Sequence, residues 1–351
     1  MRNPLPSLLA LACTLALAAG SAQAQQLGFH FYGNTQYAVE NTTSTANRFE
    51  LPRVELVVNG SIDRFQLTSE ILFDLGKSGE FGLDVHRVEL SYLVTDALRL
   101  SMGRFPTGLG FYNTNFPQGG AYYELAIDRP TLVSTVDEET LLPTLTLGAR
   151  ADGRIKLGAA GRLQYDLEVG NGRGPTTFIS ALAPDNKSLK AFNVRLRYLP
   201  RLLDGLVIGG NFYLDEIPAS AEKPRTLREV IVGGHLAYVE SPWHFIAEAY
   251  DLRHSDRATG EVWHTLAGLA EVGFTLGEVT PYARLEVAVF PDGLDPFWAT
   301  GAQQSRGDYQ AVSVGARWVI NASFAAKLEL ERNHSSRDTS LSSTLQLAFA
   351  F

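Results

Sequence analysis

Cysteine is nearly absent from this chain. Cys13 is the only one, and it falls in an N-terminal stretch that reads as removable. The remainder therefore has no disulfide framework and no thiolate chemistry. Long apolar runs are missing as well, since nothing after that stretch approaches the ~18 residues a membrane helix needs. The histidines are scattered without the HExxH spacing of a metal site, and no GxSxG elbow occurs. The expectation is no enzyme, no metal and no cofactor. A formal net charge of −8 argues against a nucleic-acid partner.

What is present begins with residues 1–24. Arg2, an apolar run from Leu8 to Ala19 and a small-x-small site at Ala22-Gln23-Ala24 make a cleaved secretory signal peptide the expectation. Residues 25–351 then read as a single domain.

From Leu27 onward the dominant signal has period two, the strand period. About sixteen such segments, from 27–38 to 341–351, have the length that crosses a bilayer on a tilt. Leu345, Leu347, Phe349 and Phe351 share one face of the last segment, while Thr344 and Gln346 share the other. Connectors alternate between short, as at Asn59-Gly60-Ser61, Ser241-Pro242 and Asn321-Ala322-Ser323, and long. Short turns on one side and long loops on the other predict an outer-membrane β-barrel. The fold class is thus all-β: a transmembrane antiparallel barrel of about 16 strands. A repeated charged face is also compatible with the surface of a soluble sandwich. The aromatic residues Tyr92, Tyr198, Tyr238, Trp318 and Phe351, at alternate strand ends, favour the barrel because such rings suit the headgroup level.

One stretch does not alternate. Residues 105–143, between the fifth and sixth segments, form the third external connection, and a connection this long usually has a function. Thr135 and Glu138 have capping-box spacing, which predicts a helical turn before Pro143. The expectation is a loop folded into the barrel, where it constricts the pore. Arg53, Arg87, Arg99 and Arg150 fall on inward positions of flanking strands, and the loop carries Asp128, Asp137, Glu138 and Glu139. A basic wall facing an acidic loop sets up a transverse field that polar solutes cross more easily than apolar ones. The loop aromatics Phe111, Tyr112, Phe116, Tyr122 and Tyr123 read either as packing or as a stacking track. Arg104 has no settled side, since strict alternation points it at lipid and a bulge at Gly103 turns it inward.

The run from Met102 to Asn113, then Ile127-Asp128-Arg129-Pro130 and Leu167 to Arg173, resembles Gram-negative outer-membrane porin-like proteins. These motifs are similar to those of relatives of the phosphate-selective porin O and P group. The resemblance implies a sixteen-stranded barrel, often a homotrimer, with an inward-folded third loop. It does not carry phosphate specificity here, because acids match bases in the wall and lysine is scarce. The expected function is passive diffusion of small hydrophilic solutes or ions across the outer membrane, with outer-membrane lipids around the barrel. Two alternatives stand beside it. One is a substrate-selective channel, for anions for example. The other is an outer-membrane enzyme of protease or lipase type, for which His254, Ser255 and Asp256 are the candidate cluster.

Overall fold

The computed structural model describes residues 26–351 apart from 42–45, 76–80, 117–119, 135–139, 176–186, 188, 301–302, 305–306 and 336–338. The signal peptide and the Thr135–Glu138 capping box expected from sequence lie outside the described residues. So do Asp137 and Glu139.

Sixteen strands close into one antiparallel barrel. The first half comprises β1 (Gln26–Asn41), β2 (Ala46–Ile62), β3 (Phe65–Leu75), β4 (Phe81–Thr95), β5 (Leu98–Pro106), β6 (Leu145–Lys156), β7 (Gly161–Gly170) and β8 (Ala191–Pro200). The second comprises β9 (Leu206–Ile217), β10 (Leu227–Glu240), β11 (Trp243–Asp256), β12 (Val262–Phe274), β13 (Val279–Val289), β14 (Tyr309–Val319), β15 (Phe324–Ser335) and β16 (Thr339–Ala350). Each strand pairs with its neighbours in the chain, and β1 pairs with β16, so no edge is left open. At the seam, Phe31 and Phe351 exchange backbone hydrogen bonds of 2.8 Å each.

Burial along the strands is inverted relative to a soluble protein. Leu266, Leu285, Leu328 and Leu345 are more than half exposed on the outside, whereas Glu271, Arg284 and Lys327 are almost fully buried on the inside. Charges at mid-depth in lipid cost a few kcal/mol each, so the apolar face is the one that meets hydrocarbon. Trp243 and Phe274 stack edge to face at 4.7 Å at one end of this belt. Arg53, Arg87, Arg99 and Arg150, given inward positions by their parity, lie inside.

One turn sits elsewhere than its composition suggests. Asn59, Gly60 and Ser61 stay paired with Thr68, Leu67 and Gln66, and β2 runs on to Ile62. The chain reverses at Asp63-Arg64, where Asp63 takes a φ of 52°. Aspartate tolerates that left-handed conformation better than most residues.

The side of Arg104 is also decided. Gly103 has φ 134°, and a Cβ there would run into the Val88 carbonyl oxygen. This bend breaks the alternation and turns Arg104 inward. Its Nη1 donates to Asp84 Oδ1 at 3.0 Å and to the Val85 carbonyl at 2.6 Å. Gly103→Ala should therefore lower the unfolding free energy of the barrel by about 1–3 kcal/mol. The urea midpoint of tryptophan fluorescence reads this directly. An unchanged midpoint would mean that the backbone relaxes and Gly103 is dispensable.

Candidate pore and its arginine wall

The third loop begins where β5 and β6 stop pairing. Thr107 N–H donates to the Thr144 carbonyl at 2.9 Å, and the Asn113 amide donates to both the Thr107 and Thr144 carbonyls at 2.9 Å. This clasp closes the neck and sends the chain between into the lumen. There it forms two short turns of helix, α1 (Tyr112–Asn115) and α2 (Gly120–Tyr123).

An irregular backbone inside a barrel must find partners for its N–H and C=O groups. The wall supplies them. Gly108 N–H is shared by both Glu168 oxygens at 3.0 Å, and Glu248 Oε1 accepts from Phe111 and Tyr112 at 3.1 and 2.6 Å. Farther round, Glu329 accepts from Ile127 at 3.2 Å and Glu286 from Thr131 at 2.7 Å. Wall cations take the carbonyls: Arg317 binds that of Tyr122, Lys327 that of Ala126 and Arg284 that of Asp128. The loop also packs an apolar core. Leu109, Tyr112, Leu132, Val133, Leu141 and Leu142 are buried against Ile231, Ile246 and Leu252 of the wall. Wall carboxylates thus serve as ligands of the loop backbone as well as partners of wall cations.

The loop aromatics divide accordingly. Phe111, Tyr112 and Tyr122 are buried, and the Tyr122 hydroxyl reaches the Asn321 and Ala322 carbonyls of a short turn at 3.2 and 3.0 Å. Tyr123 is half exposed. For all but Tyr123 the packing reading describes the geometry.

The loop's bonds run from Glu168 on β7 and Arg195 on β8 round to Glu329 on β15, and a cavity of about 170 Å³ remains against the inner wall of β4–β8. Arg87, Arg99, Arg150, Arg154, Arg195 and Arg197 line it, with Asp152 and Asp166. Glu89 and Glu168 sit just behind, bound to Arg87 and Arg150. Six arginines thus face four carboxylates, a local surplus of two positive charges in a chain that is acidic as a whole.

Three of the arginines singled out from sequence meet here. Arg87 pairs with Glu89, and Arg99 grips Asp152 through two bonds of 3.0 and 2.9 Å. Arg150 lies among Glu89, Asp152 and Glu168, with its guanidinium 4.6 Å from the Phe105 ring centre. Arg53 is apart, on β2 beside Glu55. Asp128 is placed across the lumen, where its carbonyl meets Arg284. The described partners of the four arginines are wall carboxylates, and Asp128 is not brought to them. Arg154 is a cavity residue that sequence reasoning passed over.

Glu124 is the buried acid among the described loop residues, 3.7 Å from Arg129. Burial raises its carboxyl above the usual range, and Arg129, Lys327 and Arg284 pull it back in part. The seated loop therefore holds a proton more readily than a released loop. Seating is firmest in acid and weakens as pH climbs from the ordinary carboxylate range through the raised value. Hydrogen exchange over residues 120–131, corrected for intrinsic rates and compared between about pH 4 and pH 8, should show protection falling. Glu124→Gln should flatten the slope; an equal slope in the variant would place the cause elsewhere.

The cluster proposed for an enzyme is not assembled. His254 is fully buried with Nδ1 2.7 Å from Asp295 and Nε2 3.2 Å from Glu229, so both ring nitrogens are engaged. Ser255 instead donates to the Arg228 carbonyl at 3.4 Å. His254 also packs on Phe297 and Trp298, fixing an external loop over the mouth.

No family model matches this sequence, and no curated protein does. Solved structures do match. An anion-selective porin from Comamonas acidovorans has a TM-score of 0.65 at 7% identity, covering 93% of this chain and 100% of its own. Salmonella typhi OmpF in complex with daunomycin gives 0.65 at 11% identity, covering 93% and 97%. OmpT, an outer membrane protein of Vibrio cholerae, gives 0.63 at 11%, covering 94% and 99%. The likeness is one of fold. It runs nearly the full length of each chain, and it leaves the suggested kinship with the porin O and P group unassigned.

Proposed function

We propose that this chain is a porin: a passive diffusion channel of the outer membrane for small hydrophilic solutes or ions, with a preference for anions. The observation that carries this reading is the lumen itself. A loop held by wall carboxylates occupies part of it, and the arginine-lined cavity remains against the β4–β8 wall. The constriction then lies between loop residues Pro106 and Thr114 and the β4–β8 wall, with Arg87, Arg99 and Arg150 at its edge and Arg53 farther round. Asp137, Glu138 and Glu139 count among the loop's acids in this proposal and lie outside the described residues. A positive lining lowers the barrier for anions and raises it for cations, without any bound cofactor. Because OmpT of Vibrio cholerae is known in a trimer form, a homotrimer is part of the proposal.

Liposomes containing the purified protein should swell in isotonic solutions of small sugars and small organic anions, and swell little with large sugars. Vesicles that stay osmotically tight to every solute would contradict the proposal. Hydrolysis of a peptide or ester by the same preparation would favour the enzyme reading.

A further inference from the structure

The six cavity arginines are not equivalent. Register decides which of them a carboxylate neutralises. One lateral row of inward residues runs Asp152, Asp166, Arg195 across β6, β7 and β8, and there Arg195 binds Asp166 through bonds of 2.9 and 2.8 Å. The next inward row toward the short turns runs Arg154, Gln164, Arg197. It continues through Gly209 on β9 to His235 on β10. Among the described residues neither Arg154 nor Arg197 has a carboxylate within ion-pair reach. Arg197 Nε is buried without a partner, and so are both ring nitrogens of His235, which is 4% exposed. Gly209 lets the ring lie there, since a Cβ would collide with it and crowd the Arg197 stem.

Buried donors without acceptors are uncommon in folded proteins, and each such group calls for an explanation. Here Arg197 and His235 share the condition, and Arg154, exposed to the cavity, stands one glutamine away from Arg197 with no carboxylate beside it. A guanidinium fork matches a carboxylate through two parallel bonds. Arg154 and Arg197 stand two strands apart, roughly 10 Å between backbones, too far for both forks to close on one small anion without folding over Gln164. We infer that this row is a binding step for short dicarboxylates, one carboxylate at each arginine, with His235 extending the donor set beside Arg197. It rests on the channel reading above and names the class of solute that the channel favours. The committed arginines one row away provide the positive field that brings a dianion in.

The test uses the purified full-length protein with succinate, acetate and inorganic phosphate as probes, in two independent readouts. Calorimetry in detergent should give succinate binding that acetate does not reproduce at twice the concentration, with phosphate weaker. Arg154→Gln and Arg197→Gln should each raise the dissociation constant roughly tenfold, as expected for losing one charge-assisted pair. Arg162→Gln, also basic and near the same end, should leave it unchanged. In planar bilayers succinate should block the current saturably, with the same order among variants. A channel that conducts normally with no succinate binding overturns this inference and spares the channel reading. Binding lost in both variants by a barrel that passes no current supports the site and overturns the channel. Phosphate binding more tightly than succinate, or binding indifferent to both substitutions, overturns the dicarboxylate assignment.

Discussion

Replacing residues 107–142 by a tight turn should at least double single-channel conductance and abolish the size limit for small sugars. The ends permit the deletion. Pro106 already pairs with Leu145 and Phe105 with Thr146, so β5 and β6 stand ready for a short connection. The loop core of Leu109, Tyr112, Leu132, Val133, Leu141 and Leu142 occupies lumen that water would then fill. The carboxylates that hold the loop, Glu168, Glu248, Glu286 and Glu329, would lose their N–H partners but gain water, so their desolvation is relieved rather than left uncompensated. The closed hydrogen-bond ladder of the barrel does not pass through the loop. A variant that folds, inserts and conducts like the parent would show that the constriction lies elsewhere.

The second large effect concerns charge. Arg87→Gln, Arg99→Gln and Arg154→Gln combined should turn an anion-preferring channel into a cation-preferring one. Three arginines would then face four carboxylates around the cavity, so the local surplus changes sign. Glu89 and Asp152 each lose one arginine partner and are left to share Arg150, which turns more carboxylate charge to the lumen. Among the described residues none of the three arginines bonds to the loop, so the bonds that seat it are kept. The shift should be large near 0.1 M salt, where the Debye length is about 10 Å, and small near 1 M, where it is about 3 Å. A reversal potential that does not move at low salt would mean that these side chains are away from the current.

The fold was legible because a barrel in lipid writes its two faces into every strand. Leu328 and Leu330 against Lys327 and Glu329 leave only one way round in a bilayer. The loop was legible as an interruption of that period. Its seat was not, because Glu248 binds Phe111 and Tyr112 across well over a hundred residues of chain, through backbone groups that every residue has. Composition alone pairs loop acids with wall arginines. Among the described residues those arginines meet wall acids, and wall acids also sit on loop N–H groups. The unpaired row was hidden for a related reason. Arg99 and Arg154 look alike in sequence, yet strand pairing puts Asp152 beside the first and Gln164 beside the second. A shift of two residues in the β6–β7 register would set Asp166 beside Arg154 instead.

The most direct test is the reversal potential of the wild-type channel in a planar bilayer under a potassium chloride gradient at low salt. Discrete steps with a potential of the sign set by chloride are the predicted result. A potential of the sign set by potassium, or a protein that inserts and gives no steps, would contradict an open arginine-lined path.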